Sequence, residues 1–227
     1  MTPTTHGEWT DLERWEAAYA RFETPQEETA KFARRLKKLK ATDWARGALI
    51  VELFCGRENG LHALSGLGFT NLEGADLSPS LIAQYKGPAR CHTVDCRHLP
   101  FENGSKDILI VQGGLHHLLS LPEDLERTLK EANRVLRDGG RFVAVEPWRT
   151  PFLRLVHFLS ERRLARRCSA KLDAFATMVE HERQTYEQWL SRPDIILSLL
   201  RTYFDPELCS IQWGKLSFVG RKKASGR

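Results

Sequence analysis

Apolar and polar positions change their period twice along this chain. In the first forty or so residues the apolar ones recur at three and four: Trp15, Ala18, Tyr19 and Phe22, then Phe32, Ala33, Leu36 and Leu39. That is the spacing of amphipathic helices. Thr10-Asp11-Leu12-Glu13 and Thr24-Pro25-Gln26-Glu27 each set a threonine three residues before a glutamate, the pattern of a capping box. Helices are therefore predicted from Asp11 and from Pro25 to about Lys40. From residue 48 short β-branched runs alternate with helical ones. Strands are predicted at 48–54, 71–75, 90–94, 107–112 and 140–146, and helices at 60–67, 79–85 and 122–136. Such alternation argues for parallel βαβ units, whose right-handed crossovers put helices on both faces and ligands at the carboxyl ends of the strands. After Pro147 the helical period returns. One helix is predicted from near Pro151 to Lys171 (Phe152, Leu155, Val156, Leu159) and a second over Leu172 to Glu182 (Phe175, Ala176, Val179). Strands close the chain at Cys209 to Trp213 and Leu216 to Gly220.

At 227 residues the chain suits one α/β domain better than two. The expected division is N-terminal helices over 1–46, a ligand-binding core over 47–147, a helical insertion over 148–205, closing strands over 206–220 and a basic, disordered tail over 221–227. No apolar run approaches the ~20 residues of a membrane span. The first fifteen residues lack the basic and apolar regions of a signal peptide. Both points favour a cytoplasmic protein. Five cysteines (Cys55, Cys91, Cys96, Cys168, Cys209) form no metal-ligand spacing, so no metal is expected.

Net charge is +5, and it is localised. Arg154, Arg162, Arg163, Arg166, Arg167 and Lys171 face only Glu161 within 151–171, while the remaining charges balance. A solvated helix explains this as well as attraction of an anionic substrate does. A nucleic-acid surface is the weaker alternative.

The chemistry begins at Leu49 to Gly60, LIVELFCGRENG, where a strand runs into a glycine turn, with Asp76 in GADLSP twenty positions after Gly56. Backbone N–H groups can approach a ligand at such a turn, and a carboxylate at the next strand end can accept from both hydroxyls of a ribose. Four further stretches follow in order: ADLSPSLI (75–82), VDCRHLPFENGSKDILIV (94–111), GGLHHLL (113–119) and LKEANRVLRDGGRFVAVEP (129–147). Together they resemble the class I S-adenosylmethionine-dependent methyltransferases, in the broad group that acts on small molecules. The resemblance implies a doubly wound, mostly parallel Rossmann-like sheet. It implies S-adenosylmethionine as cofactor and a small-molecule O, N or C nucleophile, an anionic one included, as acceptor.

The resemblance also assigns positions. Glu52 would hold the ammonium of the methionine portion, with Phe54, Gly56 and Gly60 around the turn. Phe54 and Glu58 stand where glycines are usual, so an open pocket needs Phe54 turned to the core and Glu58 turned outward. Asp76 would take the ribose diol, and Ser78, before Pro79, is the better helix cap. Leu77 would flank the adenine, Asp95 would accept from its amino group and the Cys96 backbone would reach a ring nitrogen. Gln112 and Gly113 end the next strand beside the transferred methyl, and the small pair Gly113-Gly114 leaves room for a substrate. His116 and His117 are the candidate bases, since an imidazole can take a proton as attack on a sulfonium proceeds. Tyr19, Trp148, His157 and Tyr186 are candidate substrate contacts, with Tyr19 in a partial lid.

Other readings stay open at this point. Missing motif glycines suit a non-catalytic cofactor-binding or interaction protein, and the fold alone would suit an NAD-dependent oxidoreductase. A nucleic-acid methyltransferase loses ground because QGGL replaces the Asn/Asp-Pro-Pro-aromatic tetrapeptide of the amino-methylating enzymes.

Overall fold

The computed structural model describes residues 11–223, with side chains described from residue 17 onward. Trp15, the Thr10 capping box and the last four residues lie outside that description. Seven strands form one sheet: β1 (Ile50–Leu53), β2 (Leu72–Asp76), β3 (Arg90–Thr93), β4 (Lys106–Gln112), β5 (Leu136–Pro147), β6 (Phe204–Gln212) and β7 (Lys215–Lys222), in the order β3-β2-β1-β4-β5-β7-β6. β1 to β5 are parallel, and β7 pairs antiparallel with both β5 and β6. The predicted doubly wound, mostly parallel sheet is thus present. Strand order reverses between β1 and β4, the crevice where α/β sheets bind ligands.

Period-two alternation separates the faces. Val51, Leu53, Leu109, Val111, Phe142 and Ala144 belong to one buried cluster, and Ile50, Ile108, Ile110, Val143 and Val145 to the other. The first face is covered by α5 (Glu123–Val135) and α10 (Pro193–Tyr203), through Leu125, Leu129, Ile196 and Leu200. The second is covered by α2 (Pro25–Lys38) and α3 (Asn59–Gly66), through Phe32, Leu36, Leu61 and Leu64. The predicted capping box starts α2. Thr24 Oγ1 accepts from Glu27 N at 3.2 Å, and the Glu27 carboxylate accepts from Thr24 N at 2.9 Å. α2 is therefore a wall of the core as well as part of the rim. α1 (Asp11–Phe22), by contrast, packs on α8 (Ala170–His181).

The single helix predicted from Pro151 to Lys171 is broken. α6 (Pro151–Ser160) and α7 (Arg163–Cys168) are separated by an extended Arg162, and Ser169 leaves the helix to cap α8, accepting from Leu172 N at 3.3 Å. Ser169 offers the backbone a side-chain partner that competes with helix continuation. α9 (Arg183–Ser191) follows, and its Trp189 Nε1–H donates to the Pro147 carbonyl at 2.8 Å. The helical cover thus ends with α9, because α10 packs on α5 and β6 as part of the sheet wall.

Candidate active site

A cavity of about 970 Å³ opens at the carboxyl ends of β1, β2 and β4, roofed by α1, α6, α8 and α9. Its floor is built by the turn after β1. Phe54, Gly56 and Glu58 take φ of +55°, +50° and +58°, so the chain makes a left-handed turn before entering α3. Asp76, at the end of β2, locks that turn. One carboxylate oxygen accepts from Gly56 N at 2.8 Å, and the other accepts from Ser78 N at 2.9 Å. Ser78 caps α4 (Pro79–Gln84) by accepting from Leu81 N, which leaves Asp76 free of the capping role.

Glu52 is buried beneath the cavity. One carboxylate oxygen meets Gln112 Nε2 at 3.4 Å, while Oε2 has no hydrogen-bond partner among the described residues. Burial pushes its pKa up to about 8. A Cβ on Gly60 would lie 1.8 Å from Glu52 Oε1, so Gly60 makes room for that carboxylate rather than lining the cavity. Phe54 lines the cavity and also packs on the core. Its ring fills the space above Gly114, where a Cβ would come within 2.4 Å. The smallness of Gly114 accommodates Phe54. Glu58 leaves the cavity open by burying itself, against the expectation of an outward turn. Burial and neighbouring Asp76 raise its pKa to about 7.

Leu77, exposed and apolar, flanks the cavity. Asp95 is clamped by Arg97, whose Nε lies 3.0 Å from both carboxylate oxygens and whose Nη1 reaches Asp124 at 2.6 Å. The guanidinium holds the Asp95 pKa below its ordinary value. Cys96 and Gln112 line the same wall, and Cys96 Sγ sits 3.5 Å from Thr128 Oγ1. Gly113 takes φ +81° where β4 ends.

That conformation turns the chain into a 3₁₀ turn, Leu115–His117, held by Glu146 at the end of β5. The buried Glu146 carboxylate accepts from Gly114 N and Leu115 N, each at 2.9 Å, and lies 2.8 Å from His116 Nδ1. On its other side His116 Nε2 is 3.7 Å from Glu182. Burial disfavours the imidazolium, but hydrogen bonds to Glu146 and Glu182 outweigh it and raise the His116 pKa to about 9. His117 is tilted against His116 with centroids 4.1 Å apart. Partial burial and the charge on His116 lower its pKa below the ordinary imidazole value. The two candidate bases are therefore unlike each other: His116 is a tethered cation near neutral pH and His117 a neutral ring.

Of the expected substrate contacts, Tyr19 and Tyr186 line the cavity. The Tyr19 hydroxyl bonds to Glu28, and the Arg57 guanidinium stacks 4.8 Å over its ring. Trp148 does not reach the cavity; it is buried edge-on to Trp189. His157 bonds the Tyr186 hydroxyl at 3.2 Å but faces a separate cavity of about 1010 Å³ beneath α6, α8 and α9. Most of the basic stretch lies elsewhere too. Arg154 and Arg166 line that second cavity, and Arg166 is paired with Asp173 and Glu180. Sequence reasoning missed Arg35, Glu146, Glu182 and Lys215, all cavity residues or their anchors. Only Glu146 carried a signal, as the acid ending the VAVEP strand.

The residues present suit a zwitterionic nucleoside. An orphaned carboxylate oxygen, a locked left-handed turn and a carboxylate at the neighbouring strand end converge on one crevice. The decisive comparison is that residues 51–144 match the family described as "Methyltransferase domain". Over those residues the chain is similar to a methyltransferase domain, and the crevice they frame suits S-adenosylmethionine as cofactor. Among solved structures, the PH0226 protein of Pyrococcus horikoshii aligns with 95% of this chain and 100% of its own at TM-score 0.67 and 18% identity. An S-adenosylmethionine-dependent methyltransferase of Methanococcus maripaludis aligns with 100% of this chain and 99% of its own at TM-score 0.61 and 10% identity. At such identities these likenesses concern the fold. A curated relative, EEF1A lysine methyltransferase 4 of Mus musculus, is 28% identical, the match taking in 50% of this chain. The chain spans about half that relative's length, 51%. Among the described residues no helix is long and apolar enough to cross a membrane.

Proposed function

We propose that this methyltransferase transfers the methyl group of S-adenosylmethionine to an oxygen, nitrogen or carbon nucleophile of a small molecule carrying an anionic group. The observation that carries the reading is the roofed cavity, whose volume of about 970 Å³ lies at the upper end for one small ligand and leaves room for an acceptor beside the cofactor. Bound cofactor supplies a methyl on a sulfonium, an electrophile that needs alignment and exclusion of water more than activation. The chain's own residues divide that work. Glu52 would hold the ammonium, satisfying its orphaned oxygen. Arg35, 3.3 Å from Gln112 Oε1 and without a carboxylate ion pair among the described residues, would hold the methionine carboxylate. Asp76 would take the ribose diol, Leu77 an adenine face, and Asp95 with the Cys96 backbone the adenine edge. Gln112 and Gly113 would border the methyl.

On the acceptor side, Lys215 supports an anionic group. It lines the cavity together with Arg35 and Lys31, a group of positive charges that an anion would offset. The nucleophile's proton would leave at the histidine end, where His117 is the imidazole not tied to Glu146. A second reading, a lysine of a protein as acceptor, is favoured by the likeness to the mouse lysine methyltransferase and by exposed Phe152 and Trp213 on the cavity lining. Incubation with methyl-labelled S-adenosylmethionine and a fractionated cell extract separates the two. Label in the small-molecule fraction supports the proposal, and label on protein alone overturns it.

A further inference from the structure

His116, His117 and Glu182 offer three ligand atoms that all lie within 4.8 Å of one another. Two come from the 3₁₀ turn after β4 and the third from the residue between α8 and α9, so the cluster joins the sheet to its helical cover. The separations have a definite meaning. His116 Nε2 is 3.7 Å from Glu182 Oε2, and His117 Nδ1 is 4.0 Å from Glu182 Oε1. Ligands bound at ~2.0–2.2 Å around a tetrahedral ion stand roughly 3.4 Å apart, so closure asks for side-chain movements of up to about 1.4 Å, within reach of rotation about the side-chain bonds. The second sphere is also in place. His116 reaches Glu146 through Nδ1 at 2.8 Å, which leaves Nε2 pointed toward Glu182; a carboxylate behind the distal nitrogen is the usual support of a metal-bound imidazole. All three side chains line the cavity, so further coordination positions open toward an acceptor.

We propose that His116, His117 and Glu182 bind one divalent first-row transition-metal ion at the methyl-transfer end of the cavity. Two imidazoles and one carboxylate favour zinc-like or iron-like ions over magnesium or calcium, which prefer all-oxygen shells. The ion's role rests on the methyl-transfer reading and replaces proton acceptance by His117. An acceptor hydroxyl or amine would coordinate the ion and lose its proton to solvent. Its lone pair then bonds to the methyl carbon as the carbon–sulfur bond breaks with its electron pair going to sulfur.

The test is titration of the purified, chelator-treated full chain with Co²⁺, followed by its visible d–d absorption, alongside calorimetry with S-adenosylhomocysteine. The proposal expects one Co²⁺ per chain, displaced by Zn²⁺ and not by Mg²⁺. Co²⁺ affinity should fall at least tenfold in His117→Gln and Glu182→Gln and stay unchanged in Glu180→Gln, an exposed carboxylate of α8, with S-adenosylhomocysteine affinity retained throughout. Retained nucleoside affinity with no stoichiometric Co²⁺ binding by the wild-type chain would overturn the site. So would Co²⁺ binding that both variants keep. Co²⁺ binding without nucleoside affinity would sustain the site and overturn the methyl-transfer reading behind its role.

Discussion

Gly60 and Glu52 show how closely single residues set this site. Any Cβ at residue 60 would overlap the Glu52 carboxylate, 1.8 Å away, so Gly60→Ala must displace the group that awaits the ammonium. Affinity for S-adenosylhomocysteine should fall at least tenfold in that variant, measured by calorimetry; unchanged affinity would remove Glu52 from the site. Asp76→Ala should weaken the same binding by ~1.5–3 kcal/mol, the scale of a lost charge-assisted hydrogen bond. Because Asp76 also ties Gly56 N and Ser78 N, melting should shift as well, and Asp76→Asn should recover part of both losses. The strand-end acids were legible in sequence because the chain brings them to adjacent parallel strands. Glu182 was not, since its approach to His116 depends on how the cover folds back across 66 residues.

Among the elements, α2 has a start that local sequence dictates and a position that it does not. Thr24→Ala removes one half of the capping box and should cost ~1 kcal/mol, read as a lower melting temperature with cofactor affinity little changed. An equal loss in cofactor affinity would mean that the cap orients Arg35 as well. The strands and helices of the core were legible because hydrophobic period, turn residues and caps agree there. The cover was less so. Apolar spacing continued across Glu161 to Ser169, and nothing in that spacing distinguishes one helix from two that fold back. Likewise α10 reads like the helices before it, although its Ile196 and Leu200 belong to the sheet face. Phe54 and Glu58 departed from the expected glycines at positions of positive φ. The turn keeps its shape because Phe54 finds cover over Gly114 and Glu58 buries its side chain.

For the whole molecule, the cavity couples cofactor binding to protons. The folded chain holds Glu52 at a pKa of about 8, above the ordinary value of 4.5, so between those limits it binds more protons than the unfolded chain. Its contribution to stability therefore falls as pH rises from 4.5 to about 8 and levels off above. A cationic ammonium reverses the shift. Binding near pH 7 should release about one proton, as a carboxyl mostly protonated before binding becomes ionised. Calorimetric titration with S-adenosylhomocysteine in buffers of different ionisation heat measures this directly. The account predicts saturable binding near pH 7 with release of about one proton in the wild-type chain, the release lost in Glu52→Gln, and no comparable response to NAD. Tight NAD binding with no response to S-adenosylhomocysteine would contradict it.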